Sequence, residues 1–335
     1  MARRLADIAK YAGVSEATVS RVLNAKPGVS DSTRHAVLTA LDVLGYERPT
    51  RLRGGRPRLI GLFVPDMQNP IFPAMAEVIA DALARRGLTP VLCASTVAGL
   101  SEAVYVDLLL QRHVSGFIFC GGSYAEAASE HQHYHLLRER GLPTVLINAA
   151  FDDLGFPVVS VDDAHAVRQV LRHLVALGHE RIGFALGPPD HVPSMRKLAE
   201  WTASGQSPEL VEHAMWSLVG GQATGERLIR RGATAIVCAS DVLALGVIRA
   251  ARKQGLRVPE DVSVVGFDDS ALMNYTDPPL TTVRQPINRM GQAAVTLLMN
   301  QINGIGVSND ELFFEPELVV RTSTASRRGS AEARP

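Results

Sequence analysis

The stretch from Arg4 to Asn24, RLADIAKYAGVSEATVSRVLN, constrains this chain more than any other. Leu5, Ile8 and Ala9 repeat at helical spacing, and so do Val19, Val22 and Leu23 after them. Between the two runs stand Ala12, Gly13 and Val14. A glycine there allows a turn through positive φ at no steric cost. Ala9 is small enough for two helices to cross closely, and Ser15 is placed to cap the second. Two crossed helices on so short a turn form a helix-turn-helix, whose second helix is shaped for a major groove. Its outward residues are Glu16, Ala17, Thr18, Ser20 and Arg21. Short hydroxyls and an arginine suit phosphates and base edges better than the long acids of an idle helical hairpin.

Charge supports that reading once the chain is divided. The 335 residues carry 34 Lys and Arg and 34 Asp and Glu, so the net charge is zero. Residues 1–58 hold 11 basic and 5 acidic side chains, however, leaving 23 and 29 for the rest. A basic head on an acidic body concentrates phosphate affinity at one end.

Ser30 is expected to cap a third helix ending near Leu44, with Gly45 as its stop. Val37, Leu38, Leu41 and Leu44 would close a small three-helix core. Residues 47–58, ERPTRLRGGRPR, hold two Pro, two Gly and five Arg and read as a linker. It is either a flexible basic tether or a segment that folds against DNA. In the second case Arg51, Arg53 and Arg56 would sit on phosphate or in the minor groove, with Leu52 as a wedge between base steps.

From Leu59 the pattern changes to alternating strands and helices, which calls for parallel sheets covered on both faces. LIGLFVP, TPVLCAS, GFIFC and PTVLIN are the first strands. A second block is expected from Val158: VVSV, RIGFAL, a strand near Met215, TAIVCAS and VSVVGF. LTTVRQP, a helix from Ile287 and FFEPELVVR would then cross back and close both sheets. Two such blocks imply two lobes and a cleft. Ligands of such sheets bind beyond the carboxyl ends of the strands. That rule nominates Asp66, Asn69, Asn148, Ser240, Asp241, Asp268 and Asp269. Residues 325–335, ASRRGSAEARP, look disordered.

Cys93, Cys120 and Cys238 lie in apolar, strand-like runs without paired spacing, which suggests free thiols in a reducing compartment. No apolar run approaches the ~20 residues of a membrane span, so a cytoplasmic protein is expected. His131, His133 and His135 read as a solvated helix face, and neither metal nor cofactor is expected. Asp241, Asp268 and Asp269 could be imagined as a carboxylate pair for glycoside cleavage, but acceptors for sugar hydroxyls and helix caps are the simpler reading. A transport-type sugar-binding protein would share the two-lobed body and lack the DNA-binding head.

LADIAKYAGVSEATVSRVLN, LVALGHERIGFALGP, DVLALGVIRAARKQGLRVPEDVSVVGFDDS and PPLTTVRQP, in that order, resemble the lactose/galactose repressor family of bacterial regulators, from Arg3 to about Ser326. GYERPTRLRGG, NPIFPAM, VEHAMWSLVGGQA and PELVVRTSTAS are similar in wording to actinobacterial members that control maltose or maltodextrin genes.

The resemblance implies α + α/β architecture, with a three-helix helix-turn-helix domain followed by a two-lobed, periplasmic-binding-protein-like effector domain. It implies a domain over residues 1–46, a hinge over 47–58 and an effector and dimerisation body over 59–326. The N-lobe would take about 59–160 with 287–317, the C-lobe about 161–285 with 318–326, and the tail 327–335. It also implies a non-enzymatic regulator, a homodimer on double-stranded operator DNA and released by a sugar effector. Carried over residue by residue, base reading falls to Glu16, Ala17 and Arg21, and phosphate contacts fall to Ser15, Thr18, Ser20 and Asn24. Effector contacts fall to Asn69, Phe72, Asn148, Lys197, Ser240, Asp268 and Gln285. The same architecture serves purine- or phosphosugar-responsive regulators that use a corepressor. Three features depart from the family pattern. Lys197 stands where Arg is common, with Arg196 beside it as a possible substitute. Ser240 stands where Asn is common, and the linker lacks the usual Ala-Arg-x-Leu wording.

Overall fold

The computed structural model describes residues 2–24, 26, 28–44, 58–94, 100–148 and 154–327. The head consists of α1 (Ala2–Ala12), α2 (Glu16–Leu23) and α3 (Asp31–Val43). Gly13 takes φ +66° in the turn between the first two. The Ser15 hydroxyl accepts the Thr18 N–H at 3.2 Å, and Ser30 caps α3 by accepting the Thr33 N–H at the same distance. Ile8, Ala9, Val19, Val22, Val37, Ala40 and Leu41 form the buried core, with Leu5, Leu23 and Leu38 packed around it. Each large apolar side chain in it contributes about 1.5–3 kcal/mol of burial. Leu44, expected in that stripe, is exposed because α3 ends one residue earlier and no longer presents it to the core.

The body holds two six-stranded sheets. Its first elements are β1 (Arg58–Val64), α4 (Ile71–Ala84), β2 (Leu88–Ala94), α5 (Glu102–Gln111), β3 (Gly116–Phe119), α6 (Gln132–Glu139), β4 (Thr144–Ile147) and β5 (Val158–Val161). Then follow α7 (Asp163–Ala176), β6 (Ile182–Leu186), α8 (Val192–Ala203), β7 (Val211–His213), α9 (Leu218–Arg230), β8 (Ala235–Cys238), α10 (Asp241–Lys253) and β9 (Ser263–Asp268). The last are β10 (Thr281–Arg284), α11 (Ile287–Ile302), β11 (Glu311–Phe314) and β12 (Glu317–Val319). The first sheet runs β11-β5-β4-β3-β1-β2 and the second β12-β10-β9-β8-β6-β7. The antiparallel β10–β12 pair brings the last strand against the parallel core of the second sheet.

Two sequence expectations change. VVSV, expected to begin the second block, pairs with β4 and β11 and so completes the first sheet. The strand expected near Met215 ends at His213. The chain crosses between the sheets after β5, after β10 and between β11 and β12, where Pro316 separates the two strands. α9 and α10 pack at very short range: a Cβ on Gly246 would lie 2.3 Å from the Leu218 carbonyl oxygen. Residues 325–327, expected to be disordered, are held: Arg327 N–H donates to the Leu177 carbonyl at 2.8 Å, and its guanidinium pairs with Glu180.

Candidate functional site

In the head, Glu16, Ala17 and Arg21 are exposed on α2. Ala17 and Arg21 are four residues apart and therefore share a face. Ser15, Thr18, Ser20 and Asn24 are already engaged with one another. The Ser15 and Thr18 hydroxyls lie 2.9 Å apart, and the Asn24 amide donates to the Ser20 carbonyl at 2.8 Å. These contacts fix both ends of the helix that presents Arg21. Arg51, Leu52 and Arg53 lie outside the described residues.

In the body, some of the residues nominated at strand ends meet Gln285, which the family resemblance supplied. Asn69 follows β1, Asn148 follows β4, Asp268 closes β9 and Gln285 follows β10. Asn148 adopts φ +67° and accepts the Val161 N–H at 3.2 Å, which aims its amide nitrogen across the cleft. That nitrogen donates to Gln285 Oε1 at 3.1 Å, and Gln285 Nε2 donates to Asp268 Oδ1 at 2.7 Å. A three-residue chain thus joins the two sheets. Asp268 has φ +122°, a region costly for an L side chain. Its Oδ2 is buried with no hydrogen-bond partner. Burial first, and the charge of Asp241 second, push its carboxyl well above the usual range, while the Gln285 hydrogen bond, the Lys197 charge and the Asn69 amide oppose the shift. Phe72 lies half-buried in the first turn of α4.

The remaining candidates divide by partner. Ser240 is buried and caps α10, accepting the Leu243 N–H at 3.2 Å. Asp241 accepts from the Ser270 N–H at 2.8 Å and from the Thr282 hydroxyl at 2.6 Å, and burial pushes it up to about 6. Asp269 pairs with Arg284 at 2.7 Å and Arg321 at 2.6 Å. Two of the three aspartates imagined as a catalytic pair therefore tie the loop after β9 to its neighbours. Asp66 accepts the Gln68 N–H at 2.7 Å.

Lys197 and Arg196, adjacent on α8, separate completely. Lys197 is 5% exposed and contacts the carboxylate of Asp163, the first residue of α7. Burial raises the Asp163 carboxyl, with Lys197 acting against the shift. Arg196, expected as a stand-in for the clamp, instead forks onto Glu311 of β11 at 2.6 and 2.9 Å. A helix turns about 100° per residue, so neighbours cannot face one site.

Four groups in this region carried no expectation. His191 precedes α8, and its Nδ1 is buried without a partner. Burial, aided by the Lys197 charge, pushes its pKa down to about 4. Ser194 Oγ is buried without a partner three residues before Lys197. Trp216 meets the His191 ring edge-on at 5.5 Å and lies so close to Gly187 that a Cβ there would be 1.9 Å from its ring. Asp163 is the fourth. The spacing of His191, Ser194 and Lys197, three apart along HVPSMRK, is the sequence signal that marks one buried polar face. At the mouth, the Ala127 N–H donates to the Asp190 carbonyl at 2.9 Å, so the first lobe touches the second there as well. A groove of about 760 Å³ beside the crossovers is lined by Arg172, Arg284, Arg289 and Glu315 and by none of the expected effector residues. His133, from the histidine cluster, pairs with Glu102 at 2.7 Å.

Comparison with known proteins identifies both parts. Residues 4–49 match the model described as bacterial regulatory proteins, lacI family, and residues 171–324 match the periplasmic binding protein-like domain. The HTH-type transcriptional regulator MalR of Streptomyces coelicolor is 52% identical over 98% of each chain. The chain belongs to the lacI family. Regulator reg1 of Streptomyces lividans is 52% identical over 98% of this chain and 99% of its own. Among solved structures, the lac repressor dimer bound to operator and the anti-inducer ONPF superposes with a TM-score of 0.80 at 30% identity, covering 95% of this chain and 98% of that one. The complex of the regulator CelR with cellobiose gives 0.70 at 30% identity, over 95% and 99%. As a lacI-family member the chain is a DNA-binding transcriptional regulator rather than an enzyme. No helix among the described residues is long and apolar enough to cross a membrane.

Proposed function

We propose that this regulator represses carbohydrate genes of the maltose or maltodextrin type and leaves its operator when a small sugar binds in the cleft. The supporting observation is the buried, unpartnered Oδ2 of Asp268, at the end of the amide chain from Asn148 through Gln285. An orphaned polar oxygen in a closed site is satisfied by a ligand hydroxyl, and an anion buried beside two carboxyls that burial already keeps from ionising would cost more still. The neutral amides of Asn69, Asn148 and Gln285 suit hydroxyls in the same way. The related CelR regulator is solved in complex with cellobiose, which supports a sugar over a purine.

In this reading residues 1–46 read DNA, 47–58 link, and 59–326 sense the effector. Glu16, Ala17 and Arg21 face base edges, and Arg51, Leu52 and Arg53 follow the backbone or minor groove. The protein acts in the cytoplasm, on the nucleoid when operator-bound, as a homodimer. Exposed apolar side chains support a partner surface on α5, with Val104 and Leu108, and at the start of α9, with Leu218 and Val219.

A ligand shifts such a switch only by its differential affinity for the two states, and moving from mostly bound to mostly released takes about 5 kcal/mol. The test is operator selection from random duplexes with the full chain, then fluorescence anisotropy with maltose, maltotriose, nucleosides and phosphosugars. Release by maltose or maltotriose is expected. Tightening by a purine or phosphosugar, or no response to any compound, overturns the proposal.

A further inference from the structure

The cleft contains a cation whose position needs its own explanation. The Lys197 ammonium lies over the ring of Phe267, 4.1 Å from the centroid. Four rotatable bonds separate it from the backbone, and a buried ammonium that lacks an anion seeks one. Among the described residues it hydrogen-bonds only Asp163. Asp163 is itself 5% exposed and stands at the first position of α7, where the helix dipole favours a carboxylate. α7 packs against α8, so the pair is held between two helices of one lobe. Asp268 directly follows Phe267, the residue whose ring the ammonium covers. Asp268 nevertheless keeps Oδ2 without a partner.

These observations define a competition. An ammonium has three N–H donors, and Asp163 takes one. Without Asp163, the unpartnered oxygen of Asp268, next to the ring that Lys197 covers, is left to receive the ammonium, and pairing there would satisfy both groups internally. With Asp163 present, Lys197 retains donors and Asp268 retains an acceptor. Two neighbouring hydroxyls of one ligand match such a pair: one donates to Oδ2 and the other accepts from Nζ.

We propose that Asp163 is a positioning residue of the effector site, which holds Lys197 off Asp268 so that the two together receive a vicinal diol of an uncharged sugar. This rests on the sugar-effector reading above. Arg196 contributes nothing to it, because its guanidinium is committed to Glu311.

The experiment is calorimetric titration of the full chain with maltose for the wild type, Asp163→Asn, Lys197→Met and the double variant. Asp163→Asn is expected to weaken maltose about tenfold or more. Lys197→Met is expected to weaken it comparably, and the double variant no more than Lys197→Met alone, because Asp163 acts through Lys197. The double variant carries no unpaired buried charge, so it reports even if Asp163→Asn does not fold. Wild-type affinity in Asp163→Asn, or losses that add in the double variant, overturn the positioning role and leave the sugar reading standing. A wild type that ignores maltose and other sugars overturns the sugar reading and this inference with it.

Discussion

Asn148 donates to Gln285 at 3.1 Å, and that bond joins the end of a strand in one sheet to the end of a strand in the other. The two residues are 137 positions apart in sequence. Gln285 also donates to Asp268, so one amide both bridges the lobes and orients the acid. Gln285→Ala breaks both contacts and removes the donor to Asp268 Oδ1. We expect maltose affinity to fall by about 1.5–3 kcal/mol, while the helix-turn-helix keeps its affinity for the operator. Calorimetry and anisotropy measure the two separately, and unchanged maltose affinity would count against the bridge.

Arg21 and Arg53 are expected to fail in different ways. Arg21 is exposed on α2, where a bidentate contact to a guanine edge is available. Arg21→Ala should cost about 1–3 kcal/mol on the selected operator and relax preference at one base position. Arg53 stands in the arginine-rich stretch 47–58, so Arg53→Ala should weaken binding to every sequence and flatten its salt dependence. Identical behaviour of the two variants across sequences and salt would defeat the division between reading and positioning.

His191 gives stability a pH dependence of known sign. Its pKa falls from 6.5 to about 4 in the folded protein. Between those values the unfolded chain takes up a proton that the fold refuses. The contribution is therefore intact above pH 6.5 and is lost as pH falls towards 4, by about 3 kcal/mol in all. Asp241 and Asp268, both raised, act in the opposite direction and favour the fold as pH falls. Comparison with His191→Asn isolates the histidine: the variant should lose less melting temperature than the wild type between pH 7 and about pH 4.5. Parallel curves would show that His191 is not the group responsible.

Gly246→Ala sets helix propensity against packing. Alanine favours a helix by about 1 kcal/mol over glycine. Here its Cβ would fall 2.3 Å from the Leu218 carbonyl oxygen and 2.6 Å from the Gln222 nitrogen, both backbone atoms. Packing should win, with a net loss of about 1–3 kcal/mol in urea unfolding. A stabilised variant would mean that α9 and α10 can separate without penalty.

Much of this protein was legible locally. Leu5 to Leu23 showed their helical spacing, Ser15 and Ser30 their caps, and Asn69, Asn148 and Asp268 their places at strand ends, whereas Gln285 came only with the family resemblance. These features repeat every two to four residues or sit at element ends, so short-range geometry dictates them. Partner choice is a different kind of question. VVSV reads the same in either sheet, and only its pairing with β4 and β11 assigned it. Arg196 and Lys197 carry the same charge one residue apart, yet the helix turns one to Glu311 and the other to Asp163, 115 and 34 positions away. His191 gave no sign of being neutral, because its pKa is set by burial against Trp216 and by the charge of Lys197. The sequence by itself determined the elements, the groove-reading helix and the polar residues at the strand ends, since each is a matter of local period and chain stereochemistry. The tertiary structure alone decided which charges meet and which acceptor stays free, since burial and long-range strand order set those, and neither is written in any short stretch of chain.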